Sequence, residues 1–84
     1  MEGDSRRFDR VVKKVDVLIP TSEDTARLAG VLLRTAGTND VVDAIVAAEA
    51  IRAIPSIVLT SDVPDIRQLL DGRPESPRIR VIRV

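Results

Sequence analysis

The 84-residue chain is 44% hydrophobic and 31% charged, the composition of one small folded domain and not of a disordered tail. Its 13 basic and 13 acidic residues cancel, and the two halves of the chain are each balanced, so charge gives no polyanion-binding footprint. With no Cys and no His, disulfides, thiolate metal sites, His-based acid–base chemistry and Ser-His-Asp triads are all excluded, and any chemistry must run on carboxylates, hydroxyls, Lys and Arg.

Phe8 is the only aromatic residue, which rules out a base-stacking platform. No apolar run approaches the ~18–20 residues of a membrane span, and the opening MEGDSRR has no signal-peptide apolar stretch, so a cytoplasmic location away from membranes is expected. A chain of this length buries about 63% of its surface on folding, enough for a modest core.

In chain order, Phe8, Val11, Val12 and Val15 recur at helical spacing and predict an amphipathic helix over residues 5–15. Residues 16–19, DVLI, stopped by Pro20, predict a short strand. Thr21 or Ser22 offers a helix cap, with Glu23 and Asp24 in the first turn where the helix dipole favours acids, and the helix should run to about Ala36 and stop at Gly37. A second helix, about Asp40 to Ala53, is apolar nearly all round and should be buried centrally. Residues 57–60, IVLT, read as a central parallel strand. A helix from about Pro64 to Leu70 closes at Gly72, RPESPR is a loop, and IRVIRV at 79–84 is a last strand whose arginines place it at an edge. Strands separated by helices imply crossovers, hence an α/β fold with a parallel sheet, organised as a single domain over 1–84.

In such sheets sites form beyond the carboxyl ends of the strands. Asp62 stands two residues after IVLT, at that edge. Asp43 lies about one turn inside the buried helix, where a carboxylate is costly unless compensated, and shares a helix face with Asp40. Carboxylates converging without a cationic side chain invite a hard divalent ion, Mg²⁺ or Mn²⁺. Each acid also has an ordinary structural explanation. Asp40 and Asp62 can cap helices, Asp43 and Asp65 can sit in first turns, and Thr60 and Ser61 can simply close a turn.

The string AGTNDVVDAIVAAEA, followed by IVLTSDVPDIRQLL and IRVIRV, resembles the C-terminal half of PIN-domain proteins over about residues 16–84. Among these it looks most like the ribonuclease toxins of bacterial type II toxin–antitoxin pairs (VapC-like). The resemblance implies a Mg²⁺- or Mn²⁺-dependent endoribonuclease on a Rossmann-like sheet, in which metal ions lower the pKa of a water and stabilise the leaving oxygen of an RNA phosphodiester. Residue by residue it implies Asp43 and Asp62 as catalytic, metal-facing carboxylates, Asp40 and Asp65 as auxiliary metal ligands, and Thr60 or Ser61 as a supporting hydroxyl. The family's first acidic residue on an N-terminal strand, and its second on an early helix, have no counterpart here. The chain is therefore expected to be a truncated PIN-like domain lacking its first strand and early helices, and inactive alone. The implied partners are RNA, a cognate antitoxin protein and a second copy in a homodimer. The alternative is a non-catalytic interaction module that binds an antitoxin or a full-length relative.

Overall fold

In a computed structural model of the chain, residues 10–13 and 22–84 are described. Three parallel strands form one sheet in the order β1 (Arg10–Lys13), β2 (Ser56–Thr60), β3 (Ile79–Arg83). Three helices accompany them, α1 (Glu23–Ala36), α2 (Val41–Arg52) and α3 (Val63–Leu70). This is a small α/β fold of the partial Rossmann-like kind. Among the described residues no helix is long and apolar enough to cross a membrane.

The helix expected over 5–15 is corrected by β1, and the remainder of that span lies outside the described residues, as does the strand expected at 16–19. The adjacent valines of RVVK explain the change. Their branched side chains favour extended backbone, and pairing with β2 buries Val12 to 7% exposure while Val11 stays exposed. A four-residue pattern compatible with either period is decided by the neighbour it meets. The remaining elements stand within a residue or two of the expected bounds, with a short 3₁₀ turn at Ser76–Arg78 inside the expected loop.

Along β2 the side chains of Ser56, Val58 and Thr60 are buried, and Ile57 and Leu59 between them are only partly covered. The buried set faces the helices. There α2 and α3 pack on the sheet, and α1 packs on α2 and α3. α2 is thus enclosed between the sheet and α1, which is why Ala44, Ala47, Ala48 and Ala50 are all fully buried and why small residues are needed at so many of its positions. Leu32 of α1 and Ile66 of α3 complete the same core. Ser56, buried at the start of β2, donates its hydroxyl to the carbonyl of Ala50 at 2.8 Å, tying the strand to the end of α2.

Helix ends follow the sequence signals. Ser22 caps α1 by accepting from the Thr25 amide at 3.2 Å. Gly37 takes φ 70°, the left-handed conformation that lets its amide return to the Leu33 carbonyl.

Candidate metal centre

α2 runs into β2 from the far end of the sheet, and α3 leaves β2 at its carboxyl end. In a parallel sheet that path sets the N-termini of both helices at the carboxyl edge of the strands. Each helix starts with the same four-residue pattern, Asp40-Val-Val-Asp43 and Asp62-Val-Pro-Asp65. Asp40 is the N-cap of α2, and its Oδ1 accepts from the Asp43 amide at 3.0 Å. Asp43 is fully buried, with both carboxylate oxygens shielded from solvent. Asp65, in the first turn of α3, is exposed, as is Asp40. One oxygen from each of Asp40, Asp43 and Asp65 lies within 4.8 Å of the other two.

Three carboxylates this close repel one another. Two unit charges 4 Å apart cost about 1 kcal/mol in bulk water and about 4 kcal/mol at the effective dielectric of a protein surface. A helix N-terminus stabilises a nearby anion by about 0.3–1 kcal/mol, so the two converging dipoles offset part of that. A hard divalent cation stabilises such a trio directly. Mg²⁺ holds oxygen ligands at about 2.1 Å, which sets them roughly 3–4 Å from one another, so small rotations of the exposed Asp40 and Asp65 side chains would close the set. The donor set is all oxygen, which suits Mg²⁺ or Mn²⁺ over thiolate- or imidazole-seeking metals.

Of the residues singled out by sequence, the structure brings Asp40, Asp43 and Asp65 together, and Asp62 is not one of the trio. Asp62 is the N-cap residue of α3, and its side chain does not accept the cap hydrogen bond. Its amide instead donates to Thr60 Oγ1 at 2.9 Å, closing the turn that leaves β2. The Thr60 hydroxyl, in a residue 8% exposed, is therefore part of that turn. Ser61 is exposed, and its carbonyl accepts from the Arg83 guanidinium at 2.9 Å, which joins the turn to the end of β3.

Asp65 joins the trio through its place in α3. As the third residue of its helix it is the counterpart of Asp43, three positions past the cap in each case. A second cluster joins residues whose sequence roles are separate, a cap at Ser22, a first-turn acid at Asp24 and a polar-face arginine at Arg52. Arg52 at the end of α2 donates to Thr25 Oγ1 at 2.7 Å and to Ser22 Oγ, and lies 3.9 Å from Asp24. It reinforces the start of α1, and the sequence signal for it was a basic residue in the last turn of a largely apolar helix. Of the basic residues near the start of the chain, Arg10 and Lys13 are exposed on β1, while Arg6, Arg7 and Lys14 lie outside the described residues.

The chain matches no family model, no curated protein and no solved structure.

Proposed function

We propose that the chain carries the metal-binding part of a PIN-like, metal-dependent endoribonuclease, working on RNA in the cytoplasm. The observation that supports this is the convergence of Asp40, Asp43 and Asp65 on the N-termini of α2 and α3 at the carboxyl edge of the sheet. In this reading buried Asp43 is the fixed point of the site, held by the packing around α2. Asp40 and Asp65 are exposed, so they are the ligands that can adjust. Asp62, the N-cap residue of α3 at the same edge, stands outside the trio. The Thr60 hydroxyl keeps the strand-to-helix turn closed beneath it. A bound Mg²⁺ or Mn²⁺ would supply charge neutralisation for a phosphodiester and activation of the attacking water. With three converging carboxylates the chain binds metal, and by itself it has little or no activity on RNA.

Mn²⁺ titration of the purified chain, followed by the electron paramagnetic resonance signal of the free ion, tests the reading. The native chain should bind Mn²⁺, and Asp43→Asn should bind at least about tenfold more weakly. A native chain that leaves the free-ion signal unchanged at millimolar Mn²⁺ sinks the proposal. An RNA cleavage assay in Mg²⁺ checks the second half. Mg²⁺-dependent cleavage, lost in Asp43→Asn, would keep the site and overturn the claim of inactivity alone.

The second reading, an interaction module for an antitoxin or a larger relative, is favoured by a different observation. The sheet face turned away from α2 and α3 carries exposed valine and isoleucine side chains.

A further inference from the structure

The strand register sets out that outer face. Val11, Ile57 and Arg80 form one row across the three strands, and Lys13, Leu59 and Ile82 form the next. An apolar band therefore runs diagonally from Val11, 47% exposed, over Ile57 and Leu59 to Ile82, 37% exposed. A cation stands at the corner on each side of it, Lys13 on one and Arg80 on the other. No residue of the three strands is acidic.

We infer that this band is the docking site for one amphipathic helix of another polypeptide, with an apolar stripe flanked by glutamate or aspartate. The inference deepens the interaction-module reading and is independent of the acidic trio. Parallel sheets are almost always covered on both faces, and the described helices cover one. Three strands spaced about 4.8 Å apart span about 10 Å, the diameter of a single helix. The diagonal of the band is about 12 Å, a little over two helical turns, so one short helix covers it. Charge then selects the occupant. Arg80 is exposed beside the apolar band, and an acidic flank would meet it. A second copy of this sheet face would offer Arg80 another arginine-bearing edge and no acid from any of its three strands, which disfavours a homodimer here. A nucleic acid would meet Arg80, but it would leave the apolar band in water.

The probe is an 18-residue helical peptide with a leucine stripe and glutamate flanks, fluorescently labelled. A matched peptide has the same stripe and lysine flanks. Anisotropy with the full chain should show the glutamate peptide binding about tenfold tighter than the lysine peptide. Arg80→Glu, an exposed edge-strand change, should reduce or reverse that preference while the circular dichroism spectrum stays native. Leu59→Ser should weaken both peptides. If the lysine peptide binds as well or better, the face docks partners but the acidic helix is wrong. If neither peptide binds, both the inference and the interaction-module reading fail on this face. A face-to-face dimer by sedimentation, broken by Leu59→Ser, or RNA binding that Arg80→Glu abolishes, would also overturn the inference.

Discussion

α2 and α3 begin with the same word, Asp-Val-x-Asp, and use it differently. At α2 the first aspartate accepts a hydrogen bond from the amide of the second, which is the ordinary capping role. At α3 the first aspartate takes no cap bond, and the Asp65 amide bonds instead to the backbone carbonyl of Asp62. Pro64 removes one of the amides that a cap would serve, and Thr60 already holds the Asp62 amide in the preceding turn. The second aspartates behave alike, both entering the trio, but Asp43 is fully buried whereas Asp65 is exposed. Spacing alone therefore identifies which acids stand near a helix start. The path of the chain before the helix decides which of them converge.

The start of α1 sharpens the contrast. It too has acids in its first turn, Glu23 and Asp24, but arginines answer them. Arg27 lies 2.7 Å from Glu23 and 3.6 Å from Asp24, and Arg52 approaches from α2. At α2 the structure sets a third carboxylate against the first two. One helix start sets its acids beside arginines, and the other draws three carboxylates together.

The largest expected effect separates the trio from Asp62. If the trio binds Mn²⁺, the ion at about a hundred times its dissociation constant should stabilise the folded chain by about 2.7 kcal/mol, a rise in melting temperature on the order of 10 °C. Asp43→Asn and Asp65→Asn should each lose most of that rise, while Asp62→Asn keeps it. Differential scanning fluorimetry with and without Mn²⁺ reads the result directly. Equal loss in Asp62→Asn and Asp65→Asn would erase the distinction between the two helix starts.

A smaller effect belongs to α1. Ser22→Ala removes the cap and one partner of Arg52, so urea unfolding should show a loss of about 1–2 kcal/mol, unaffected by Mn²⁺. Next comes the capping difference itself. Asn caps a helix about as well as Asp does, and Ala does not. In metal-free buffer Asp40→Asn should therefore be about 1 kcal/mol more stable than Asp40→Ala. The same pair of changes at Asp62, where no side-chain cap exists, should differ by less than about 0.5 kcal/mol. A full 1 kcal/mol separation at both positions would mean the two starts are capped alike.

Much of this was legible in the sequence. The nearly all-apolar string of α2 announced a helix enclosed on several sides, and IVLT announced the middle strand, because continuous apolar runs have few other places to go. The arginines of the last strand correctly marked an edge. β1 was misread because Val11 and Val12 fit either period, and only the presence of β2 alongside decides between them. At the site, Asp43 stood out as a carboxylate among alanines and valines. Asp65 joins the trio and Asp62 does not, although both stand at the start of the same helix, and that outcome depends on how the two helices are placed in space.

The smallest effect tests an acid that has nothing to do with either Asp-Val-x-Asp start. Glu75, after α3, is partly shielded, and burial alone would raise its pKa. Paired hydrogen bonds from Arg73 at 3.1 and 3.2 Å, together with that guanidinium's charge, hold it below the ordinary carboxylate value. A group whose folded pKa is depressed adds stability that is present above its unfolded pKa and is lost as pH falls through the folded one. The Arg73–Glu75 pair should thus stabilise the chain at neutral pH, by about 0.5 kcal/mol for a pair this close to solvent, and Arg73→Ala should remove it. The difference between native and Arg73→Ala should shrink below about pH 4.3 and vanish as Glu75 protonates. Urea unfolding at pH 7 and at about pH 3 measures both ends. A difference that persists unchanged in acid would assign Arg73 to packing against the end of α3, and not to its charge.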